Sequence, residues 1–250
     1  MFVHNDYFEI YKKEEKKIMN FFDNLKISKY NHIVFVSNES RNKIETLYPN
    51  LKAKMITINN LIDYKKILIL SKEVNVQKNK NKKTFLFVGR LDENQKRVSR
   101  IIEVANLFKN NKEIEFWLLG DGEYKEEYEN KIMDYNLKNI KMLGAKKNPY
   151  PYIKACDCLL LTSDYEGFPV VYNESIILNK PIITTVSVSD ETININDGFG
   201  IICDKEINDI ASAINIFLKN DFKINKKINF SSVNKKRMHM IESLLEEIND

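Results

Sequence analysis

Cysteine is scarce in this chain: three residues in 250, an odd number, with no C-x-x-C pair. That argues against a disulfide framework and against a zinc site. Cys156, Cys158 and Cys203 read as buried thiols in a reducing cytoplasm. Long apolar runs are missing as well. No stretch approaches the ~18 consecutive apolar residues that mark a membrane span. The opening "MFVHNDYFEIYKK" lacks the basic-then-apolar order of a signal peptide. The seven glycines form neither G-x-G-x-x-G after a strand nor G-x-x-x-x-G-K-[ST], so the dinucleotide and P-loop fingerprints are absent. Nor is there a strong charge of one sign. The 39 basic residues against 35 acidic ones leave +4, far from the bias of a dedicated nucleic-acid binder. That mild surplus suits anionic ligands or peripheral contact with an anionic membrane surface.

What the chain does have is a hydrophobic fraction of 43%, ordinary for a protein with a buried core, and a regular alternation after residue 84. "TFLFVG" (84–89), "IEFWLLG" (114–120), "NIKMLG" (139–144), "DCLLLTS" (157–163), "PIITTV" (181–186) and "GIICD" (200–204) are apolar runs of strand length. Helical spacing lies between them at 98–109, 123–136, 150–156 and 169–179. Strands alternating with helices predict an α/β, Rossmann-like, doubly wound parallel sheet, with ligands bound beyond the carboxyl ends of its strands. Ahead of it, "SKEVNVQKNKNKKT" (71–84) is polar and aperiodic and reads as a linker. Earlier still, two strands at 32–37 and 53–60 and a helix at 38–49 look like the tail of another α/β unit. The segment 234–250 reads as an amphipathic helix. Four parts are therefore expected: 1–67, a linker at 68–83, a ligand-binding domain at 84–222, and a helical segment at 223–250.

Three loops end strands on one edge of the predicted sheet. In "GRLDENQKR" (89–97), Arg90 and Lys96 lie six apart on a loop entering a helix. A guanidinium and an ammonium there can clamp a diphosphate, or be two solvated cations. In "GDG" (120–122) the glycines either allow backbone close to a ligand or make a turn. In "DYEGFPVVYNES" (164–175), Pro169 suits a first helical position, and Phe168 before it is no capping residue. The N–H groups of Val170 and Val171 then need an acceptor, which a phosphate supplies. Glu174 lies too far along the helix to cap it and can accept from a sugar's hydroxyls. Glu166 precedes the helix and can face whatever hangs from the phosphate. The alternative is that both are merely exposed acids.

Together "FVGRLDENQKR", "FWLLGDGEYKEEYENKI", "NIKMLGAKKNPYPYIKACDCLLLTSDYEGFPVVYNES" and "KPIITT" resemble the family four glycosyltransferases, retaining nucleotide-sugar enzymes of the GT-B fold. The hallmark is a pair of glutamates separated by seven residues, here Glu166 and Glu174. The resemblance runs from 84 to about 204. "NPYPYIKACD" is similar to enzymes of bacterial capsule and cell-surface polysaccharide synthesis, which implies work at the inner face of the plasma membrane.

The resemblance implies roles. Arg90 and Lys96 bind the nucleotide diphosphate, Glu174 holds the ribose hydroxyls, and Glu166 contacts the donor sugar. Backbone amides at Phe168, Val170 and Val171 meet phosphate, and the backbone at Lys146 meets the base. No metal or cofactor is expected. The donor is a nucleotide-diphosphate sugar, UDP being the first to try, and the acceptor a saccharide or polyprenyl-linked molecule. Arg97 departs from the family, which often has glycine there, and would crowd the phosphate or add a third cation. "HNDY", "HIVFVSNES" and "ITINNLIDYKKI" resemble the end of the acceptor-side domain more faintly, with His4 near the family's active-site histidine. On this reading most of that first domain would lie before Met1. The chain would then be either a transferase or an incomplete donor-binding piece completed by a partner chain. A Rossmann oxidoreductase is disfavoured by the missing fingerprint.

Overall fold

The computed structural model describes residues 1–4, 7–166, 169–185, 195–224 and 226–249. Its strands are β1 Phe2–Val3, β2 Ile33–Phe35, β3 Met55–Thr57, β4 Lys83–Val88, β5 Ile114–Leu119, β6 Ile140–Met142, β7 Cys158–Leu161, β8 Ile182–Thr184 and β9 Gly200–Ile202. Its helices are α1 Tyr7–Ile10, α2 Glu15–Asn24, α3 Asn38–Leu47, α4 Tyr64–Leu70, α5 Val98–Leu107, α6 Lys125–Asp134, α7 Tyr150–Ala155, α8 Val170–Ile177, α9 Ile207–Asn220 and α10 Phe230–Asn249.

The predicted parallel sheet is present, with six strands in the order β6-β5-β4-β7-β8-β9. Its central strands are buried along their length, which is why they read as unbroken apolar runs. From β4 the chain steps outward through β5 and β6. It then returns to the other side of β4 with β7 and steps outward again. The direction of winding thus reverses between β4 and β7. The loops after these two strands diverge around a crevice, where doubly wound sheets bind ligands.

A second parallel sheet has the order β1-β2-β3. The sequence pattern predicted two strands here. The third, β1, pairs Phe2 with Val34 and Val3 with Phe35, and two residues are too few to show a period. The small core around it gathers Val3, Ile18, Phe22, Ile33, Phe35 and Ile44, with Ile18 and Phe22 supplied by α2, a helix not anticipated. Ile62 and Ile67 instead join the core of the large sheet.

The chain between Ser71 and Lys82 forms neither helix nor strand. It is tethered at Lys78, whose Nζ lies 2.5 Å from Asp157 Oδ2. The helix expected at 234–250 begins earlier, at Phe230, and returns toward the small sheet. Asn234 accepts from Ile62 N (3.1 Å) and donates to Ile62 O (2.7 Å), and Arg237 donates to Asn60 O (2.6 Å).

Candidate active site

The loop after β4 is a self-bracing turn. Asp92 Oδ1 accepts from Asn94 N (2.6 Å) and Gln95 N (3.1 Å), while Oδ2 holds Arg90 at 2.7 Å. The Arg90 side chain is 64% exposed. α5 opens on Arg97 in the left-handed region, φ 51 and ψ 48, with no cap of its own. That conformation suits glycine and explains why an arginine is unusual there. Glu93 caps the helix from outside, accepting from Ser99 N (3.2 Å) and Ser99 Oγ (2.5 Å).

Arg97, expected to crowd the phosphate or add a third cation, is paired with acids of its own. Its Nε lies 2.5 Å from Asp164 Oδ2. Asp164 is also held by Arg100 at 2.8 Å and Lys205 at 3.6 Å. Burial alone would raise the Asp164 pKa, but the hydrogen bonds from Arg97 and Arg100 outweigh it and hold the carboxyl below its ordinary value. Further bonds stitch the two loops together. Asp164 N donates to Gln95 O (2.8 Å), Gln95 Nε2 to Tyr165 O (3.2 Å), and Thr162 Oγ1 to Arg97 O (3.0 Å).

The glycines of the "GDG" loop serve this packing. A Cβ on Gly120, whose φ is +156, would sit 1.8 Å from Gly89 O, and one on Gly122 would sit 2.2 Å from Leu91 O. The close approach is loop against loop.

The loop after β7 and the helix that follows bring the two glutamates in. Glu166 is buried, 7% exposed, not a surface acid. Its Oε1 accepts from Lys96 Nζ (2.6 Å) and Ser163 Oγ (2.6 Å). Lys96, expected beside Arg90, is thus neutralised by Glu166 across 70 residues of chain. Glu174 is half-buried and accepts from Tyr150 O–H at 3.3 Å. Burial raises its pKa, and the Tyr150 bond offsets only part of that. Tyr150 in turn is pushed up to about 12 by burial and the neighbouring Glu174.

Pro169 occupies the N-cap of α8 rather than its first position, with ψ 108, and no side chain caps the helix. Val170 is 47% exposed and Val171 half-buried. Phe168 lies outside the described residues. Lys146 is exposed on the loop after β6. His4, at the end of β1, is exposed and stacks on Phe2 with ring centroids 6.2 Å apart. The three cysteines are free thiols, Cys156 and Cys158 buried, and burial pushes the Cys156 pKa up to about 12. Among the described residues no group of three or more His, Cys, Asp or Glu could hold a metal ion, and no helix is long and apolar enough to cross a membrane.

Sequence reasoning missed Ser163, Asp164 and Gln95, which hold the loops, and Tyr150, which touches Glu174. Ser163 and Asp164 stood beside the glutamates, and a serine three residues before a buried acid was a usable signal. Nothing local pointed from Tyr150 to Glu174. Chemically, the crevice offers an exposed guanidinium, an ammonium shared with a carboxylate, an uncapped helix start and a carboxylate whose charge is disfavoured by burial. That set suits a charged group bearing hydroxyls.

The family model described as "Glycosyl transferases group 1" matches residues 71–237. The chain is 31% identical over 163 residues, 63% of its length, to an uncharacterized glycosyltransferase of Methanocaldococcus jannaschii. It is 28% identical over 191 residues, 73% of its length, to the poly(ribitol-phosphate) alpha-N-acetylglucosaminyltransferase of Staphylococcus aureus. It covers 40% and 38% of those two relatives. Among solved structures, Anabaena HepE in complex with UDP superposes with a TM-score of 0.73 at 17% identity, over 97% of this chain and 72% of that one. A point mutant of S. aureus TarM, in complex with Fondaparinux, alpha-GlcNAc-glycerol and UDP, superposes with a TM-score of 0.67 at 20% identity, over 89% of this chain and 45% of that one. These are likenesses of fold. The six-stranded parallel sheet matches the C-terminal Rossmann-like domain of GT-B glycosyltransferases.

Proposed function

The chain belongs to the group 1 glycosyl transferases, and from that premise we propose that its large sheet binds a nucleotide-diphosphate sugar whose sugar is passed, with retention and without a metal, to a saccharide or polyprenyl-linked acceptor. The observation that carries this reading is the Lys96–Glu166 ion pair, which joins the loops after β4 and β7, followed directly by the uncapped start of α8, the helix that bears Glu174.

In the proposal, Arg90, Lys96, the first turn of α8 with the amides of Val170 and Val171, and the amide of Phe168 earlier in the chain neutralise the diphosphate as its charge develops. Glu174 accepts from the ribose hydroxyls. Glu166 faces the sugar through Oε2, since both of its hydrogen bonds fall on Oε1. Backbone at Lys146 meets the base, and His4 belongs to the acceptor side. The work is placed in the cytoplasm, at the inner membrane face, on bacterial surface polysaccharide. UDP is the favoured nucleotide, in line with the UDP held by HepE and TarM.

A second reading, a donor-binding piece that needs a partner chain, is favoured by the small sheet. It has three strands of two or three residues and an outer edge at β1.

The test is a panel of nucleotide sugars scored by thermal shift in EDTA, followed by transfer to a polyprenyl-linked or oligosaccharide acceptor with the product anomer assigned. A UDP-sugar at ~100 times its dissociation constant should stabilise the fold by about 2.7 kcal/mol. Loss of binding in EDTA would overturn the metal-free site, and inversion at the anomeric carbon would overturn retention. Turnover by a demonstrated monomer would remove the partner reading.

A further inference from the structure

A second cavity, of about 400 Å³, opens where α10 returns to the small sheet, beyond the carboxyl ends of β2 and β3. Three cations line it: Arg41 from α3, and Lys236 and Arg237 from α10. Like charges gathered around one space repel unless something compensates them, and for Arg41 and Lys236 compensation is thin. Arg41 Nε reaches Glu45 only at 4.0 Å, and Glu45 also pairs with Lys52. Lys236 has no ion pair or hydrogen bond among the described residues. Arg237 is buried, 5% exposed, and is held in place through its bond to Asn60 O (2.6 Å).

Two polar atoms on the wall are buried without a hydrogen-bond partner: Arg41 Nε and Thr57 Oγ1. Both can donate. The first turn of α3, with Asn38, adds the positive end of a ten-residue helix. Ser37 already takes the Ser40 N–H (3.2 Å), so the side chains dominate the site.

We propose that this cavity is an anion site for a phosphoryl group carried on a small organic molecule, separate from the nucleotide crevice. Arginine forks match phosphoryl oxygens. The volume falls in the ~300–1,000 Å³ range of small-molecule pockets and exceeds the need of a bare ion. The site lies on the same strand-end side of the small sheet as His4, so a phosphorylated acceptor and a free phosphate ester are both of the right chemistry.

The full chain is titrated calorimetrically with glycerol 3-phosphate, inorganic phosphate and glycerol in turn, with saturating UDP present throughout. Glycerol 3-phosphate should bind despite the UDP, more tightly than inorganic phosphate, and glycerol should not bind. Lys236 is exposed, so Lys236→Ala keeps the fold. That variant should bind glycerol 3-phosphate about tenfold more weakly, as should Arg41→Gln, while UDP affinity stays unchanged in both. Failure of both phosphates to bind, displacement by UDP, or equal affinity in Lys236→Ala would overturn the proposal. Equal binding of inorganic phosphate would overturn the organic ligand. Failure of UDP itself to bind bears only on the nucleotide crevice.

Discussion

The two sheets of this chain are built alike and provisioned differently. Both are parallel, and both direct strand ends toward positions of interest. The large one has six strands, helices packed against it, and a core running from Phe85 through Leu160 to Ile214. The small one has three strands, and its core leans on α2, on Ile44 of α3 and on a cluster of rings: Tyr7, Phe21, Phe22 and Tyr48. All the proposed donor contacts stand on the large sheet, and His4, assigned to the acceptor side, on the small one. In the proposed function, donor recognition therefore rests on the larger core and the acceptor side on the smaller one.

The strongest way to break this comparison is to empty each core in turn. Leu160→Ala in β7 should cost about 2–5 kcal/mol and Phe22→Ala in α2 about 3–5 kcal/mol. The costs are similar, but only Leu160→Ala should weaken UDP binding. Hydrogen exchange should show Phe22→Ala opening β1 to β3 while β4 to β9 stay protected. A single unfolding unit, with UDP binding lost in both variants, would erase the division.

Within the large sheet, Glu174→Gln separates stability from binding. Burial raises the folded pKa of Glu174, so its contribution to stability is full below the unfolded value of ~4.3 and is lost as pH rises through the folded value. The variant should be more stable than the parent at pH 7, and the gap should close on acidification below about pH 4.3. UDP binding should nevertheless weaken by ~1.5–3 kcal/mol, the worth of hydrogen bonds to a charged group. Denaturant melts across pH, paired with UDP titrations, check both. An unaltered UDP affinity would remove Glu174 from the ribose.

Loop packing is tested by a matched pair of glycines. Gly120→Ala must displace Gly89 and should cost about 1–3 kcal/mol. Gly144, with φ +67, has open space where a methyl group would sit, so Gly144→Ala pays only the backbone term of about 1–2 kcal/mol. Thermal melts rank them, and only Gly120→Ala should also disturb UDP binding.

The smallest effect is expected at Arg97→Gly. It relieves a left-handed arginine and gives up two partly exposed ion pairs, with Asp164 and Glu93, each worth about 0–1 kcal/mol, while Arg100 still holds Asp164. Stability and UDP affinity should barely move. A large loss of affinity would return Arg97 to the diphosphate.

Much of this was legible from residues near each other in the chain. Unbroken apolar runs revealed β4 to β9, and the spacing of Glu166 and Glu174 marked the third loop. What stayed hidden was decided by distant contacts. The bond from Lys96 to Glu166 spans 70 residues and could not be read from either loop alone. The glycines at 120 and 122 could have served a ligand or a turn, and it is the packing against Gly89 and Leu91 that needs them. β1 is too short to carry a pattern. The return of α10 depends on Asn234 and Arg237 finding backbone near residue 60, which no window of sequence contains.

That return also sets a timetable. Ile62 and Asn234, which grip each other, are 172 residues apart. At a synthesis rate of ~5–20 residues per second, roughly 9–34 s separate their emergence from the ribosome. The six-stranded sheet can close during that interval. The first sixty residues must wait, with the grooves that α10 later walls still open to whatever chaperone or neighbouring chain reaches them.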